Sequence, residues 1–197
     1  MSEPGTVEGD LNALLNCIAE FIQLYVVLRT KAQAVSINGS LGQATVPNTT
    51  LVAGATARTI ALEVNNVTGS TGVTAAARTT ATISGLSAAG TFTFNLYGQN
   101  TTAVQISATV TGTADLTQLR DAINAQTGLT GITAEGTGAS LTLVQAEGYN
   151  ISLENVVATG LATLNLTGGE GAAVTLGAAA GTDSSTVGGE VTFNSEN

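Results

Sequence analysis

The pattern of apolar and polar residues along the chain changes near residue 33. Across residues 11–32 the apolar side chains recur at alternating intervals of four and three, as at the a and d positions of a coiled coil. The pattern predicts an N-terminal helix in residues 1–33 whose apolar seam makes the chain oligomerise. The seam positions are Leu11, Leu14, Ile18, Phe21, Tyr25 and Leu28.

The apolar surface of this predicted helix is wider than a two-stranded seam requires, because Leu15, Ile22 and Leu24 lie beside it. A dimer would leave much of that surface in water, so the pattern favours a trimer. Two alternatives remain open at this point. The helix could pack on the chain's own β-rich part, or it could dock onto a different protein.

Polar residues also interrupt this segment, at Asn12, Asn16, Glu20 and Gln23. A membrane-spanning helix needs roughly 20 mostly apolar residues, and a signal peptide needs a basic start. This chain begins Met-Ser-Glu. We therefore expect synthesis in the cytoplasm without a signal peptide, and no attachment to a membrane.

Beyond residue 34 the periodicity is that of strands around one clear helix. Phe92 and Phe94 alternate with polar residues. Leu116, Leu119 and Ile123 share one face of a helix predicted over residues 114–126. We expect that face to cover the two phenylalanines, so that all five residues form a module core. Further strand-like runs occupy residues 103–110, 141–144 and 151–153.

The ends of this predicted helix have their own signals. Thr113 or Asp115 can cap its first turn, and Gly128 can end it. The predicted fold class is α+β, mostly β, with an N-terminal oligomerising helix followed by β-rich modules of β-β-α-β-β type. In each module the helix is expected to lie on a small antiparallel sheet.

An internal repeat organises the chain. The segment Thr68–Ala75 recurs as Thr127–Ala134, at an offset of 59 residues, and Asn65 and Asn124 precede the two copies. The C-terminal part is rich in Gly and Ala; it could complete a sheet, pair with a neighbouring chain or form an extended tail. The predicted domains are the helix in 1–33, a first module in 34–88, a second module in 89–157 and a β tail in 158–197.

Charge and residue types limit the functions that the chain could have. The net charge is −9, and beyond residue 32 the basic residues are Arg58, Arg78 and Arg120. Binding nucleic acid or anionic lipid needs a basic face, so we expect neither partner. Histidine is absent from the sequence, which removes the usual general bases and metal ligands.

The remaining candidates for chemistry are carboxylates. Asp115 and Asp121 lie on or beside the predicted helix and suit capping and solvation, and Glu147 and Glu154 suit solvated strand positions. Cys17 is the sole cysteine, which excludes a disulfide within the chain. We therefore expect no catalytic residue, no metal site and no cofactor.

One stretch resembles a known family. The run from Asp115 to Asn124, followed by Thr127-Gly128 and then Gly131-Ile132-Thr133-Ala134, is similar to the flagellin hook IN motif. The resemblance covers residues 91–154 and extends weakly to 35–85. It implies a structural module of the kind found in the outer, variable domains of flagellins and in hook-associated proteins, with no catalytic positions.

The chain departs from flagellins in having one short N-terminal helix and no C-terminal helix signal. We therefore expect a structural protein on the surface of a particle, most simply a bacteriophage virion decoration, fibre or neck component. Its partners would be other copies of itself and other virion or filament proteins. The alternatives are a flagellar outer-domain or hook-associated protein, and a glycan-binding adhesin that uses Tyr97 and Tyr149.

Overall fold

A computed structural model describes residue 32, residues 34–169 and residues 171–195. The predicted N-terminal oligomerising helix, with its six seam residues, lies outside the described residues. The prediction of a coiled-coil trimer therefore stays a prediction.

The described part of the chain is mostly β. Its strands are β1 Val35–Gly39, β2 Gly42–Val46, β3 Val73–Ser84, β4 Gly90–Tyr97, β5 Val104–Val110, β6 Ile132–Glu135, β7 Ser140–Gln145, β8 Ile151–Ala158, β9 Leu164–Gly168, β10 Val174–Leu176, β11 Ser185–Val187 and β12 Glu190–Ser195. Its helices are α1 Ala57–Asn66, α2 Thr68–Thr71, α3 Thr117–Asn124 and α4 Thr127–Thr130. Single 3-10 turns occupy Thr159–Leu161 and Ala178–Ala180.

These residues form two compact units. The first takes residues 34–55 and 63–73, together with residues 32 and 195. Its β1 and β2 form an antiparallel hairpin in which Val35 lies opposite Val46. Along β1 the residues alternate between buried and exposed, because successive side chains of a strand point to opposite faces.

The second unit takes residues 56–62, 74–169 and 171–194. It contains two sheets, and along both strand orders given next the neighbouring strands are antiparallel. One has the strand order β10-β9-β3-β7-β6, with β12 also paired to β3, and the other has the order β11-β8-β4-β5. The expectation of a helix on one small sheet was wrong, since the hairpin β4–β5 and the hairpin β6–β7 belong to different sheets.

One buried apolar cluster holds the second unit together. Its members come from both sheets and from α3. The helix packs against β5 and against β6, which are the edge strands of the two different sheets. The apolar face of α3 therefore covers the gap between two sheets. Alternation along a strand fixes which face is buried but leaves open which strand is its neighbour, and that explains the error.

The C-terminal segment completes these sheets. β9 and β12 pair with β3, β10 pairs with β9, and β11 pairs with β8. Ile83 lies opposite Leu166, and both are buried. Of the three possibilities for the tail, the structure shows the first.

The helix predicted over residues 114–126 is shorter than expected and is followed by a second one. Gly128 lies inside α4 and does not end the helix, so that expectation was wrong. The left-handed residue is Gly131, with φ of 67°, and its amide bonds back to the carbonyl of Thr127. Glycine adopts this conformation without the steric cost that a side chain would bring.

Candidate functional site

The five predicted core residues lie together in the second unit. Phe92 and Phe94 are on β4, Leu116 immediately precedes α3, and Leu119 and Ile123 are on it. Each is at most 1% exposed, and all five belong to one apolar cluster. Side chains buried to this extent contribute to packing in the apolar cluster.

The most distinctive polar arrangement follows α3, in a segment that we call the second threonine turn, residues 126–132. The Thr127 hydroxyl donates to the carbonyl of Ile132 over 2.7 Å. The Thr130 hydroxyl donates to the carbonyl of Gln126 over 3.1 Å and accepts the amide of Ile132 over 3.2 Å. Thr130 is fully buried. Two hydroxyls thus satisfy the backbone where the chain passes from helix to strand.

The first threonine turn, residues 67–73, repeats this arrangement in the first unit. The Thr68 hydroxyl donates to the carbonyl of Val73 over 2.7 Å. The Thr71 hydroxyl donates to the carbonyl of Val67 over 3.0 Å and accepts the amide of Val73 over 3.2 Å. Gly72 has φ of 71°, close to the value at Gly131. The two turns, 59 residues apart, therefore have the same set of side-chain hydrogen bonds.

In each turn the backbone carbonyl of one threonine lies against the end of a strand from the preceding hairpin. The amide of Gln99 donates to the carbonyl of Thr130 over 2.9 Å, and a Cβ on Gly98 would collide with that carbonyl oxygen. In the first unit Gly39 stands in the same relation to the carbonyl of Thr71. A glycine is required at both positions because the two backbones touch.

The Asn124 side-chain amide bonds to the backbone of β6 as a neighbouring strand would. Its Nδ2 donates to the carbonyl of Ala134 over 2.9 Å, and the amide of Ala134 donates to its Oδ1 over 2.7 Å. These two bonds occupy the backbone groups that a neighbouring strand would use. Sequence reasoning singled out this Asn as part of the repeat but did not give it this role.

The candidate carboxylates hold local structure. Asp115 Oδ1 accepts the amide of Thr117, the first residue of α3, over 2.9 Å. Hydrogen bonds from the Thr117 hydroxyl and then its amide lower the pKa of Asp115 below its ordinary value of 3.8, and the charge of Arg120 acts in the same direction. Asp121 forms an ion pair with Arg120 at 2.7 Å. The two aspartates therefore bond to different partners.

A third carboxylate lies on the loop between β7 and β8. Glu147 forms an ion pair with Arg58 at 2.6 Å, and the Arg58 guanidinium lies 4.8 Å from the centre of the Tyr149 ring. The amides of Glu147 and Tyr149 both donate to Oε1 of the buried Gln145. Sequence reasoning missed Gln145, whose only signal was a polar residue at the end of an apolar strand.

The structure also bears on the remaining classes of site. Within the described ranges no group of three or more metal-ligating side chains is gathered. No helix in the same ranges is long and apolar enough to cross a membrane. Tyr97 lies on β4, whereas Tyr149 lies on the β7–β8 loop beneath the guanidinium of Arg58.

Comparison with known families agrees with this geometry. Residues 91–147, which run from β4 to the loop after β7, match the family described as the flagellin hook IN motif. No curated protein matches the chain. The match indicates a structural, filament-like protein of the kind found in extracellular appendages. It covers the second threonine turn and all five core residues.

Proposed function

We propose that this chain is a non-enzymatic structural protein displayed on the surface of a particle, most simply a bacteriophage virion decoration, fibre or neck component. The observation that carries the proposal is the match of residues 91–147 to a motif whose residues here serve structure. Four polar side chains of that stretch bond to backbone amides or carbonyls: Asp115, Asn124, Thr127 and Thr130.

The proposal assigns a role to each part of the chain. Residues 1–33 are an oligomerising stem, most simply trimeric, and residues 34–88 and 89–157 are two projecting modules. Residues 158–197 supply the tail strands. The repeated turn in residues 67–73 supports reading 34–88 as a module of the same kind as the second. No cofactor, nucleic acid or membrane is needed for this role.

A flagellar outer-domain or hook-associated protein is the second candidate, and the motif match itself favours it. The two candidates differ in where the protein accumulates. Mass spectrometry should find the chain in purified virions if the first is correct, and in sheared flagellar filaments if the second is correct. Detection in filaments and absence from virions would overturn the first proposal.

The stem can be tested separately in the full chain. Ile18 occupies an a position of the heptad pattern, whereas Asn16 occupies an f position outside the seam. Ile18→Asp should reduce the oligomeric state in sedimentation equilibrium, and Asn16→Asp, which adds the same charge, should not. Equal behaviour of the two variants would contradict the seam.

A further inference from the structure

The edges of the two sheets in the second unit differ in how they are protected. β10 and β11 are three residues long, and a short edge offers few backbone groups to another strand. β6 is four residues long, and Asn124 occupies the backbone of Ala134. β12 starts at the charged Glu190. The remaining edge, β5, is seven residues long.

β5 is contacted by α3 within the apolar cluster, but it lacks a charge, a proline and a bulge, three of the usual protections against pairing. Its register with β4 is unbroken from Val104 to Val110, so no bulge bends it away. No charged residue lies between Arg78 and Asp115 in the sequence. Among the described strands only β4 pairs with β5. Open, uncharged edges of this length are templates for another strand.

We propose that β5 pairs antiparallel with β5 of a second copy of this chain, about a two-fold axis at Ser107. This contact is additional to the stem of the proposed function and does not depend on it. The occupant follows from the strand's own sequence, which is its own complement when reversed. The pairing sets Ser107 opposite itself, Gln105 opposite Thr109, Ile106 opposite Ala108 and Val104 opposite Val110.

Each facing pair in this arrangement is compatible. Gln105, Ser107 and Thr109 are exposed, so the outer face would carry only uncharged hydrogen-bonding side chains. Hydroxyl pairs of this kind already join β4 to β5, between Thr91 and Thr109 at 2.8 Å and between Thr93 and Ser107 at 3.2 Å. Because the chain carries a net charge of −9, an uncharged edge avoids the repulsion that most self-contacts would meet.

Taken by itself, the β5 contact is closed. Two sheets of order β11-β8-β4-β5 would join at β5 into one continuous sheet across both copies. Its outer edges would be the two short β11 strands, which limits further addition. A two-fold contact uses each edge once, so this interface joins two copies and no more.

The first experiment is a disulfide trap in the full chain. Directly opposed residues of antiparallel strands have Cα atoms about 4.5–5.5 Å apart, within the range of a disulfide. Ser107→Cys in a Cys17→Ser background should form an interchain disulfide under mild oxidation. Thr186→Cys, on the β11 edge of the same sheet, is the matched control and should remain reduced. Equal cross-linking at both positions would overturn the proposal.

The second experiment separates the edge from the stem. Ser107→Lys would place two like charges opposite each other at the axis, whereas Thr186→Lys adds the same charge at the other edge. Each residue has one cross-strand hydroxyl contact, to Thr93 and to Ser152 respectively, so the local loss is matched. Sedimentation equilibrium of the full chain would be run on each variant combined with Ile18→Asp.

The expected results distinguish the two ideas. Ile18→Asp alone and Ile18→Asp with Thr186→Lys should both sediment as dimers, and Ile18→Asp with Ser107→Lys should be a monomer. A monomer in all three would overturn the β5 contact and leave the stem intact. The same oligomer in all three variants as in the wild-type chain would contradict the stem, and Ser107→Cys would then still decide the β5 contact.

Discussion

The two threonine turns share their internal hydrogen bonds, but the hairpins whose strand ends contact them belong to different sheets. In the first unit the hairpin β1–β2 is a sheet of two strands, whereas in the second unit the hairpin β4–β5 is extended by β8 and β11. Despite this, the bonds within the turns differ in length by no more than 0.1 Å. The turn therefore keeps its own Thr and Gly hydrogen bonds whether the hairpin that contacts it stands alone or is extended by further strands.

The family match includes only one of the two equivalent turns. It covers residues 91–147, and the first turn lies outside it. The apolar residues that precede the turns differ between the copies: Ile60 and Leu119 differ in branching, and Val64 is one methylene smaller than Ile123. Polar bonds to backbone tolerate few replacements, whereas an apolar position accepts several residues of similar volume.

The largest expected effect is the loss of a buried side chain from α3, in the second copy. Leu119→Ala removes a fully buried side chain from the cluster shared by both sheets, and should cost about 2–5 kcal/mol of unfolding free energy. Gln118→Ala, at the exposed neighbouring position, should change it by no more than about 0.5 kcal/mol. Urea unfolding measures both, and similar midpoints for the two variants would contradict this packing.

Removing the buried hydroxyl of one turn should lower the free energy of unfolding through that turn alone. Thr130→Val leaves the amide of Ile132 without its hydroxyl acceptor, a loss of about 1–3 kcal/mol, while the carbonyl of Gln126 keeps its backbone donors. Thr71→Val should cost a similar amount in the first turn.

Hydrogen exchange followed by NMR separates these two effects. The amide of Ile132 should lose protection in Thr130→Val and keep it in Thr71→Val. The amide of Val73 should behave in the opposite way. If both amides respond to either substitution, the two turns are not independent and the comparison fails.

A smaller effect tests the glycines within the turns. Gly69 and Gly128 are helical, and a Cβ at either would meet no atom within 4 Å. Alanine there should stabilise by up to about 1 kcal/mol, because it is the better helix former. Gly72→Ala and Gly131→Ala should instead destabilise, since φ is positive at both. Thermal unfolding of the four variants would check the signs.

The smallest expected effect comes from the side chains that bond to the N-termini of α1 and α3. The Thr56 hydroxyl accepts the amide of Thr59 over 3.2 Å, whereas a carboxylate, Asp115, caps the start of α3. The lowered pKa of Asp115 in the folded chain means that its contribution is present at neutral pH. That contribution is lost as the pH falls below 3.8 through the folded pKa.

Asp115→Asn should therefore lower stability at neutral pH, with the difference from wild type disappearing in acid. Thr56→Ala should give a difference that is independent of pH over the same range, because a hydroxyl does not titrate there. Denaturant unfolding at a series of pH values distinguishes the two. A constant difference for Asp115→Asn would show that its charge is not involved.

Much of the second unit could be predicted from the sequence. Alternation identified the strand that contains Phe92 and Phe94, and the spacing of Leu119 and Ile123 identified a helix with one buried face. The repeat offset identified the equivalent turns. These features depend on residues close together in the chain, where periodicity is informative.

The division into two sheets and the helix break could not be predicted in the same way. Val104 and Ile132 begin edge strands of different sheets. The alternation of residues along either strand does not indicate which sheet the strand joins. Gly128 looked like a helix end because glycine is typical there, but Gly131 is the residue at which the direction of the chain requires positive φ. The pairing of Asn124 with Ala134 depends on that same change of direction.

The position of β3 has a consequence for how the chain folds as it is synthesised. This strand ends at Ser84, yet its partners β7, β9 and β12 begin at Ser140, Leu164 and Glu190. A ribosome must therefore complete nearly the whole chain before β3 has neighbours on both sides. Contacts so distant in sequence slow folding and leave a hydrogen-bonding strand open in the nascent chain. Premature termination after β8 would release a polypeptide whose β3 is unpaired on one side, and therefore a substrate for chaperones and proteases.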